Sequence, residues 1–365
     1  MVTPAAGGVK HVVDLEAVTA PGGGPGRRVS MADVARRAGV SAQTVSRVST
    51  GHQGVVESTR ERVLEAMKEL GYRPNAAARA LKRGHFQTLG VILFSLSSTG
   101  NSRTLEAIAT QAATRGYGIT LIPVARPTEE AVLGAFGRLE ELAVDGVIVI
   151  MEVHLLDSAT VGLPPGTPVV VVDSNAGEQY HVVDTDQADG AGQAVRHLLD
   201  LGHETVFHVA GPPESFASRR RTATWEAVLG AAGRRVPPAL EGDWSAESGY
   251  RAGLELVERV RAGECTAVFV ANDQMALGVL RALHEQGLRV PEDVSVVGYD
   301  DLPDAGCYLP PLTTVHQDFG EVGRRCVDNV LRQIDGEEAT PGVELVSTRL
   351  VVRESTAPPS GGRGA

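Results

Sequence analysis

The stretch that most limits what this chain can become runs from Val29 to Leu81. Ser30 is a good helix N-cap, and Asp33 three residues on completes a capping-box pattern. Val34, Ala35 and Ala38 then put small apolar groups on one face of a short helix. Gly39 follows, the residue best able to take the left-handed conformation that ends a helix. Ser41 caps a second predicted helix, Ala42 to Ser49, with Val45 and Val48 facing inward. Two short helices joined by a three-residue, Gly-containing turn predict a helix-turn-helix, whose second helix is free to enter a major groove. A third amphipathic helix is predicted over roughly Ser58 to Leu70, with Ser58 and Glu61 as another capping-box pair. Val63, Leu64, Met67 and Leu70 give it an apolar face at 3.6-residue spacing, and Gly71 stops it.

The outward positions of the second helix are Ala42, Gln43, Thr44, Ser46 and Arg47. Gln pairs bidentately with adenine and Arg with guanine, while an Ala methyl can meet a thymine methyl. Thr44, Ser46 and the helix N-terminus suit phosphate oxygens. A solvated face on an ordinary three-helix bundle has the same periodicity, so spacing alone leaves the two readings level.

Charge bears on the choice. The 365 residues carry a formal −11, which by itself argues against a nucleic-acid partner. Between Arg27 and Gly84, however, twelve Lys/Arg stand against five Asp/Glu, a net of +7 that leaves −18 for the remainder. A basic head on an acidic body concentrates affinity for phosphate where the reading helix sits and discourages the body from lying on DNA. Cys265, Cys307 and Cys326 are scattered, with no CxxC and no His at ligand spacing. That usage fits a reducing cytoplasm and neither a disulfide framework nor a zinc site. No apolar run approaches the ~18–20 residues that span a bilayer. Residues 1–28 are rich in Gly, Pro and Ala, lack the pattern of a secretory signal, and are expected to be a disordered extension. A cytoplasmic location is expected.

From Thr88 the pattern changes to apolar strands alternating with amphipathic helices. Leu89–Phe94, Gly118–Ile122, Gly146–Ile150 and Val169–Val172 read as buried parallel strands, with helices such as Arg103–Arg115 and Glu129–Leu142 between them. The alternation repeats through helix Gly190–Leu201, strand Val206–Ala210, helix Ser218–Ala232, strand Ala267–Val270, helix Gln274–Gln286 and strand Val294–Gly298. An α/β fold is predicted, with twin doubly wound subdomains flanking a cleft, preceded by the all-α head. Gly190-Ala-Gly-Gln-Ala-Val195 half-matches a dinucleotide fingerprint, but no strand is predicted to lead directly into it and its third Gly is missing. No cofactor is expected. His197, His203 and His208 show no i, i+4 pairing for a metal.

Open α/β sheets bind ligands at the C-terminal ends of their strands. Asp173, Asn272-Asp273 and Asp300-Asp301 each end an apolar strand, Arg219-Arg-Arg221 opens a helix, and Trp244 sits in Gly242-Asp-Trp-Ser-Ala246. Carboxylates, amides and Arg donors hold sugar hydroxyls, and an aromatic ring covers the C–H face of a pyranose. Any one of these residues alone is more often an N-cap or a surface charge; their convergence points to a sugar.

Met31-Ala-Asp-Val-Ala-Arg-Arg-Ala-Gly-Val-Ser-Ala-Gln-Thr-Val-Ser-Arg-Val48, Thr59-Arg-Glu-Arg-Val63 and Glu69-Leu-Gly-Tyr-Arg-Pro-Asn75 resemble the head of the LacI/GalR family of sugar-responsive transcription regulators. Ser49-Thr50 and Val56 depart from that pattern, which usually has an apolar residue and Asn at the first pair and a Ser cap at the last. The resemblance implies DNA contacts from Ser41, Ala42, Gln43, Thr44, Ser46, Arg47, Thr59 and Tyr72, and from Asn75, Ala78 and Leu81 in a hinge helix. Such a short Ala-rich helix is marginal alone, but paired with its twin over the minor groove it could wedge Leu81 between base pairs. Periplasmic-binding-protein architecture is implied for the body. The division expected is a head at 29–74, a hinge helix at 75–86, a sugar-binding and dimerisation core at 87–356, and a disordered tail at 357–365. Within the core the N-subdomain takes about 87–185 plus 317–346, and the C-subdomain about 186–316 plus 347–356.

Glu241–Ala246, Val270–Gly278, Ser295–Asp301, Cys307–Thr314 and Gln317-Asp-Phe319 carry the resemblance into the body. By position it implies that Arg221, Asn272 and Asp300 hold sugar hydroxyls, that Asp173 reaches in from the other subdomain, and that Trp244 and Phe319 form an apolar wall. The ligand implied is a galactoside or related glycoside. The Leu-rich heptad tail that makes a tetramer in one member of the family has no counterpart, so a homodimer on a pseudo-palindromic duplex is expected. The expected function is a repressor released from double-stranded DNA by its sugar. The alternatives are a regulator that uses the sugar as corepressor, or an extracytoplasmic sugar receptor with the same core. An enzyme is not expected: Asp300-Asp301 has no P-loop, nucleophile elbow or metal motif beside it.

Overall fold

A computed structural model describes residues 29–50, 52–73, 84–96, 98–124, 129–150, 166–173, 180–338 and 340–360. The predicted hinge contacts Asn75, Ala78 and Leu81 lie outside the described residues. The chain divides into two units, 1–82 and 83–365.

In the first unit, helix α1 (Met31–Ala38) opens on the capping box: the Ser30 N–H donates to the Asp33 carboxylate at 2.9 Å, and the Asp33 N–H donates to the Ser30 hydroxyl at 3.4 Å. Gly39, at φ 66°, ends it in the left-handed conformation. Helix α2 (Ala42–Ser49) is capped by Ser41, whose hydroxyl accepts from the Thr44 N–H at 3.1 Å. Helix α3 (Glu57–Glu69) differs from expectation. Its N-cap is Val56, which provides no side-chain hydrogen bond, and Ser58 lies inside the first turn where it cannot cap, so the Ser58–Glu61 box does not form. Leu64 is likewise 51% exposed: the stripe facing the other two helices is Val63, Ala66 and Met67, and one further residue rotates the side chain by about 100° out of it.

The second unit contains two six-stranded sheets. The first is made of β1 (Thr88–Leu93), β2 (Gly118–Pro123), β3 (Gly146–Ile150), β4 (Val169–Val172), β5 (His181–Thr185) and β11 (Gly342–Val346), in the order β11-β5-β4-β3-β1-β2. All its pairings are parallel. Helices α4 (Thr99–Thr114), α5 (Glu129–Glu141) and α10 (Phe319–Ile334) belong with it, and α10 packs Val322, Cys326, Val327 and Val330 against it.

The second sheet comprises β6 (Phe207–Ala210), β7 (Leu240–Glu241), β8 (Ala267–Val270), β9 (Ser295–Asp300), β10 (Thr313–His316) and β12 (Arg349–Val351). Its order is β12-β10-β9-β8-β6-β7, with β12 alone antiparallel. Around it lie α6 (Gln187–Asp200), α7 (Phe216–Ala231), α8 (Ala246–Arg261) and α9 (Asp273–Glu285). The continuous Val/Ile runs fit strands buried on both faces by these helices. His208 is a core residue, stacked 4.8 Å from Phe269, and burial pushes its pKa down to about 4, so it stays neutral.

A strand does lead into the Gly190 segment. β5 ends at Thr185 and Asp186 caps α6, contrary to the expectation from the half-fingerprint. The reason for glycine there is packing: a Cβ on Gly190 would lie 2.3 Å from the Tyr299 hydroxyl oxygen. Between the sheets the chain crosses three times, from β5 to α6, from β10 to α10 and from β11 to β12. These crossings brace one another. The Asp186 N–H donates to the Val346 carbonyl at 2.8 Å, the Thr348 hydroxyl to the Asp186 carbonyl at 3.4 Å, and Gln187 Nε2 to Gln317 Oε1 at 3.4 Å. Among the described residues no helix is long and apolar enough to cross a membrane.

Candidate ligand cleft and nucleic-acid interface

The carboxyl ends of both sheets open onto one cleft. Asp173, Arg221, Trp244, Asn272, Asp300 and Phe319, the six residues expected at a ligand, all line it. From the first sheet, Ile150 and Val172 bring apolar side chains to the cleft.

Arg221 is the best-held of these. Its Nε donates to Gln187 Oε1 at 2.9 Å, one terminal nitrogen donates to the Ala271 carbonyl, and the same nitrogen lies 3.7 Å from the Asp300 carboxylate. The guanidinium carbon sits 3.7 Å from the Tyr299 ring centre and 5.6 Å from that of Trp244, a stacking that the planar fork suits and an ammonium would not. Asp300 also accepts from Gln317 Nε2 at 2.6 Å.

Backbone strain gathers here. Asp173, Trp244, Asp300 and Asp301 all have positive φ, at 54°, 71°, 113° and 54°, a conformation that non-glycine residues keep only where their surroundings impose it. Asp301 is held by Arg353 at 2.6 Å and His316 at 2.9 Å. Asn272 does more building than expected. Its Oδ1 accepts from the Met275 N–H at 2.8 Å as the cap of α9, and its Nδ2 donates to the Trp244 carbonyl at 3.0 Å, which fixes the Trp244 turn. The Trp244 ring lies so close to Gly211 that a Cβ there would sit 2.3 Å from it, while the indole Nε1 is buried without a partner. Behind the cleft, Asp273 takes the Thr314 hydroxyl at 2.5 Å and the Leu302 N–H at 2.8 Å; burial, with Asp300 alongside, raises its pKa well above the carboxylate range.

Asp184, Thr185 and Gln187 line the cleft and were not singled out from the sequence. Asp184 is 1% exposed. Its Oδ1 accepts the Thr185 N–H at 2.7 Å, while Oδ2 has no partner. Burial raises its pKa from 3.8 to about 6, against the pull of Arg220, the Thr185 N–H, Gln187 and Arg221. A signal existed: Asp184 closes the apolar pair Val182-Val183 just as Asp173 closes Val169–Val172.

On the head, Ala42, Gln43 and Arg47 are exposed, and Thr44 and Ser46 half-buried. The Ser41 and Thr44 hydroxyls are 2.9 Å apart, each engaged at the α2 cap. The hydroxyls of Ser49 and Thr50 both return to the Ser46 carbonyl, at 2.9 Å each, and so close the helix C-terminus. Thr59 is half-buried in the first turn of α3, and Tyr72 packs on the head's apolar core.

A helix-turn-helix unit on the same chain as a two-sheet body with a polar cleft defines a class, the ligand-responsive DNA-binding regulators. Residues 30–75 match the model of the bacterial regulatory proteins of the lacI family, and residues 195–356 that of the periplasmic binding protein-like domain. The chain is 38% identical over 335 residues to the lactose operon repressor of Escherichia coli (strain K12), covering 91% of this chain and 92% of that one. It is 36% identical over 348 residues to the HTH-type transcriptional regulator CelR of Thermobifida fusca, covering 90% and 98%. The chain belongs to the lacI family of bacterial regulatory proteins. Among solved structures, the lac repressor dimer bound to operator and the anti-inducer ONPF matches with a TM-score of 0.80 at 37% identity, over 91% of this chain and all (100%) of that one. The CelR–cellobiose complex matches with a TM-score of 0.65 at 33% identity, over 90% and 100%.

Proposed function

We propose that this protein is a sequence-specific transcriptional repressor of sugar-utilisation genes, acting in the cytoplasm as a homodimer on a pseudo-palindromic operator and released by a galactoside or related glycoside. The observation that carries the reading is the pairing, on one chain, of an exposed Gln43–Arg47 reading face with a cleft in which Arg221, Asp300 and Asn272 meet Trp244 and Phe319. The related repressor bound to operator as a dimer, and the related regulator bound to cellobiose, support it.

In this reading Gln43, Arg47 and the Ala42 methyl contact base edges, and Ser41, Thr44, Ser46, Thr59 and Tyr72 contact the DNA backbone. Residues 29–74 form the head, 75–86 a hinge in which Asn75, Ala78 and Leu81 meet the minor groove, and 87–356 the effector-binding and dimerisation core. Asp173, Arg221, Trp244, Asn272, Asp300 and Phe319 hold the sugar. Closing the cleft turns one sheet unit against the other about the three crossings, a hinge movement. Two states of the body then hold the paired heads differently, and the sugar, binding one state better, shifts the population. No bond is made or broken.

The test is fluorescence anisotropy on duplexes selected from a random-sequence pool, at several salt concentrations, with and without lactose, cellobiose and methyl β-galactoside. Salt-sensitive binding that one of these sugars weakens is the expected result. Gln43→Ala and Arg47→Ala should each cost about 1–3 kcal/mol on the selected duplex and relax its sequence preference. Asp300→Ala should keep DNA binding and lose the sugar response. A dimer that attaches to no selected duplex sinks the reading.

A further inference from the structure

We propose that Asp184 is the carboxylate by which this body chooses its ligand, accepting a hydrogen bond from a hydroxyl of a neutral carbohydrate and turning away anionic sugars. The proposal deepens the reading of the cleft as an effector site and rests on it.

The polar atoms around the cleft are mostly spoken for. Arg221 is engaged by Gln187, the Ala271 carbonyl and Asp300, Gln317 by Asp300 and Gln187, and Asn272 by Met275 and Trp244. Among the described residues, Asp184 Oδ2 and Trp244 Nε1 belong to cleft-lining side chains and are buried without a partner. Leaving a buried polar atom unmade is costly, so such atoms mark places where something else belongs. One is an acceptor and the other a donor. A sugar hydroxyl offers both functions.

Charge narrows the class. Asp173, Asp184 and Asp300 line the cleft and Arg221 is the one cation among the described lining residues. A uronate or sugar phosphate would add negative charge beside these carboxylates, whereas a neutral polyol brings only dipoles. The Arg221 charge is already paired with Asp300 at 3.7 Å, so among the described lining residues no cation is left over to neutralise an anion.

Proton linkage follows from the same placement. The groups facing Asp184 are Arg220 and Arg221 from α7, Tyr299 from β9, and Cys326 from α10, with Asp173 beside it at the end of the neighbouring strand β4 and Asp300 across the cleft. Burial raises the pKa of Tyr299 and that of Cys326, so both keep their protons through neutrality. The Asp184 pKa of about 6 in the ligand-free cleft means that a hydroxyl donor, which favours the ionised form, lowers it and expels a proton. Affinity is then full above pH 6 and declines as pH falls through it, by about tenfold at pH 5.

Isothermal titration with lactose, cellobiose and methyl β-galactoside, and with galacturonate and galactose 6-phosphate as anionic probes, tests this from pH 5 to 7.5. Wild type should bind a neutral probe in preference to the anionic ones, with the pH profile above. Asp184→Asn, which keeps the shape and cannot titrate, should bind the neutral probe at least about tenfold more weakly at pH 7.5 and lose the decline below pH 6. Its melting temperature at pH 7.5, at or above wild type, shows that the loss is not misfolding. Equal affinities with the same pH profile for the two proteins overturn the role of Asp184 and leave the effector cleft standing. Tighter binding of an anionic probe also overturns it. Absence of binding to wild type by every probe removes the cleft reading and this proposal together.

Discussion

At the scale of single residues, Arg221 is a structural member of the cleft as well as a ligand candidate. It and Asp300 are both about 95% buried, so removing the cation leaves the carboxylate without its charge partner. Arg221→Ala should therefore lower the unfolding free energy by about 3–5 kcal/mol, read by urea denaturation of the dimer. Asp184 works in the opposite direction. Its folded pKa lies above the unfolded value, so the stability of its neutral form is full below pH 4 and is lost as pH rises through about 6. Asp184→Asn should stabilise the ligand-free protein at pH 7.5 by about 3 kcal/mol and leave it nearly unchanged at pH 4, measured against wild type in the same buffers. A stabilising effect that does not fade towards pH 4 would rule out the titration of Asp184 as its source. By residue type alone the sequence offered three identical candidates in Arg219-Arg-Arg221, of which the family resemblance picked out Arg221. Helix geometry separates them, since 100° steps carry only Arg221 into the interior while Arg219 is exposed. Which of the three turns inward depends on where the helix lies on the sheet, and no local pattern states that.

At the scale of elements, glycine sets how closely helices approach. α8 and α9 meet where a Cβ on Gly278 would lie 2.0 Å from the Ala246 carbonyl oxygen, and one on Gly249 would lie 2.1 Å from that of Met275. Backbone cannot yield as a flexible side chain would. Gly278→Ala should push the helices apart and cost about 1–3 kcal/mol, seen as a lower melting temperature of the body with the head's helices intact by circular dichroism. The elements legible beforehand were those with local causes. α1 and α2 are bounded by caps and a left-handed glycine, and β1, β3, β4 and β8 are unbroken apolar runs. α3 differs from its expected start because Ser58 with Glu61 imitates a cap, while the helix starts at Glu57 behind Val56, whose side chain cannot cap it. β5 went unseen because only Val182 and Val183 in it are purely apolar, and its partners β4 and β11 lie far apart in sequence. Missing β5 hid Asp184 as well. Edge strand β11 alternates exposed and half-buried residues, a weak pattern that becomes a strand by pairing with β5.

At the scale of the whole molecule, the charge asymmetry and the cleft belong to one thermodynamic cycle. The +7 of residues 27–84 makes attachment to duplex salt-dependent, because each neutralised phosphate releases counterion. The cleft contains few charges and its ligand in our reading is neutral, so sugar affinity should respond far less to salt. Coupling between the two sites is a single free energy, of about 1–3 kcal/mol in regulators of this kind, and must be the same whichever ligand is added first. If a sugar weakens duplex binding about thirtyfold, the duplex must weaken sugar binding by the same factor. The check is to titrate sugar into the free dimer and into the dimer saturated with its selected duplex, then titrate duplex with and without saturating sugar, all at one salt concentration. Equal factors are expected, because both ligands act on the same two states of the body. Unequal factors would mean that a third species enters the cycle, such as dissociated protomers, and that the sugar acts on assembly instead of on the hinge between the sheets. Repeating the cycle with Asp184→Asn separates recognition from transmission: weaker sugar binding with an unchanged coupling factor places Asp184 in recognition alone, since a residue that transmits the signal would alter the ratio itself.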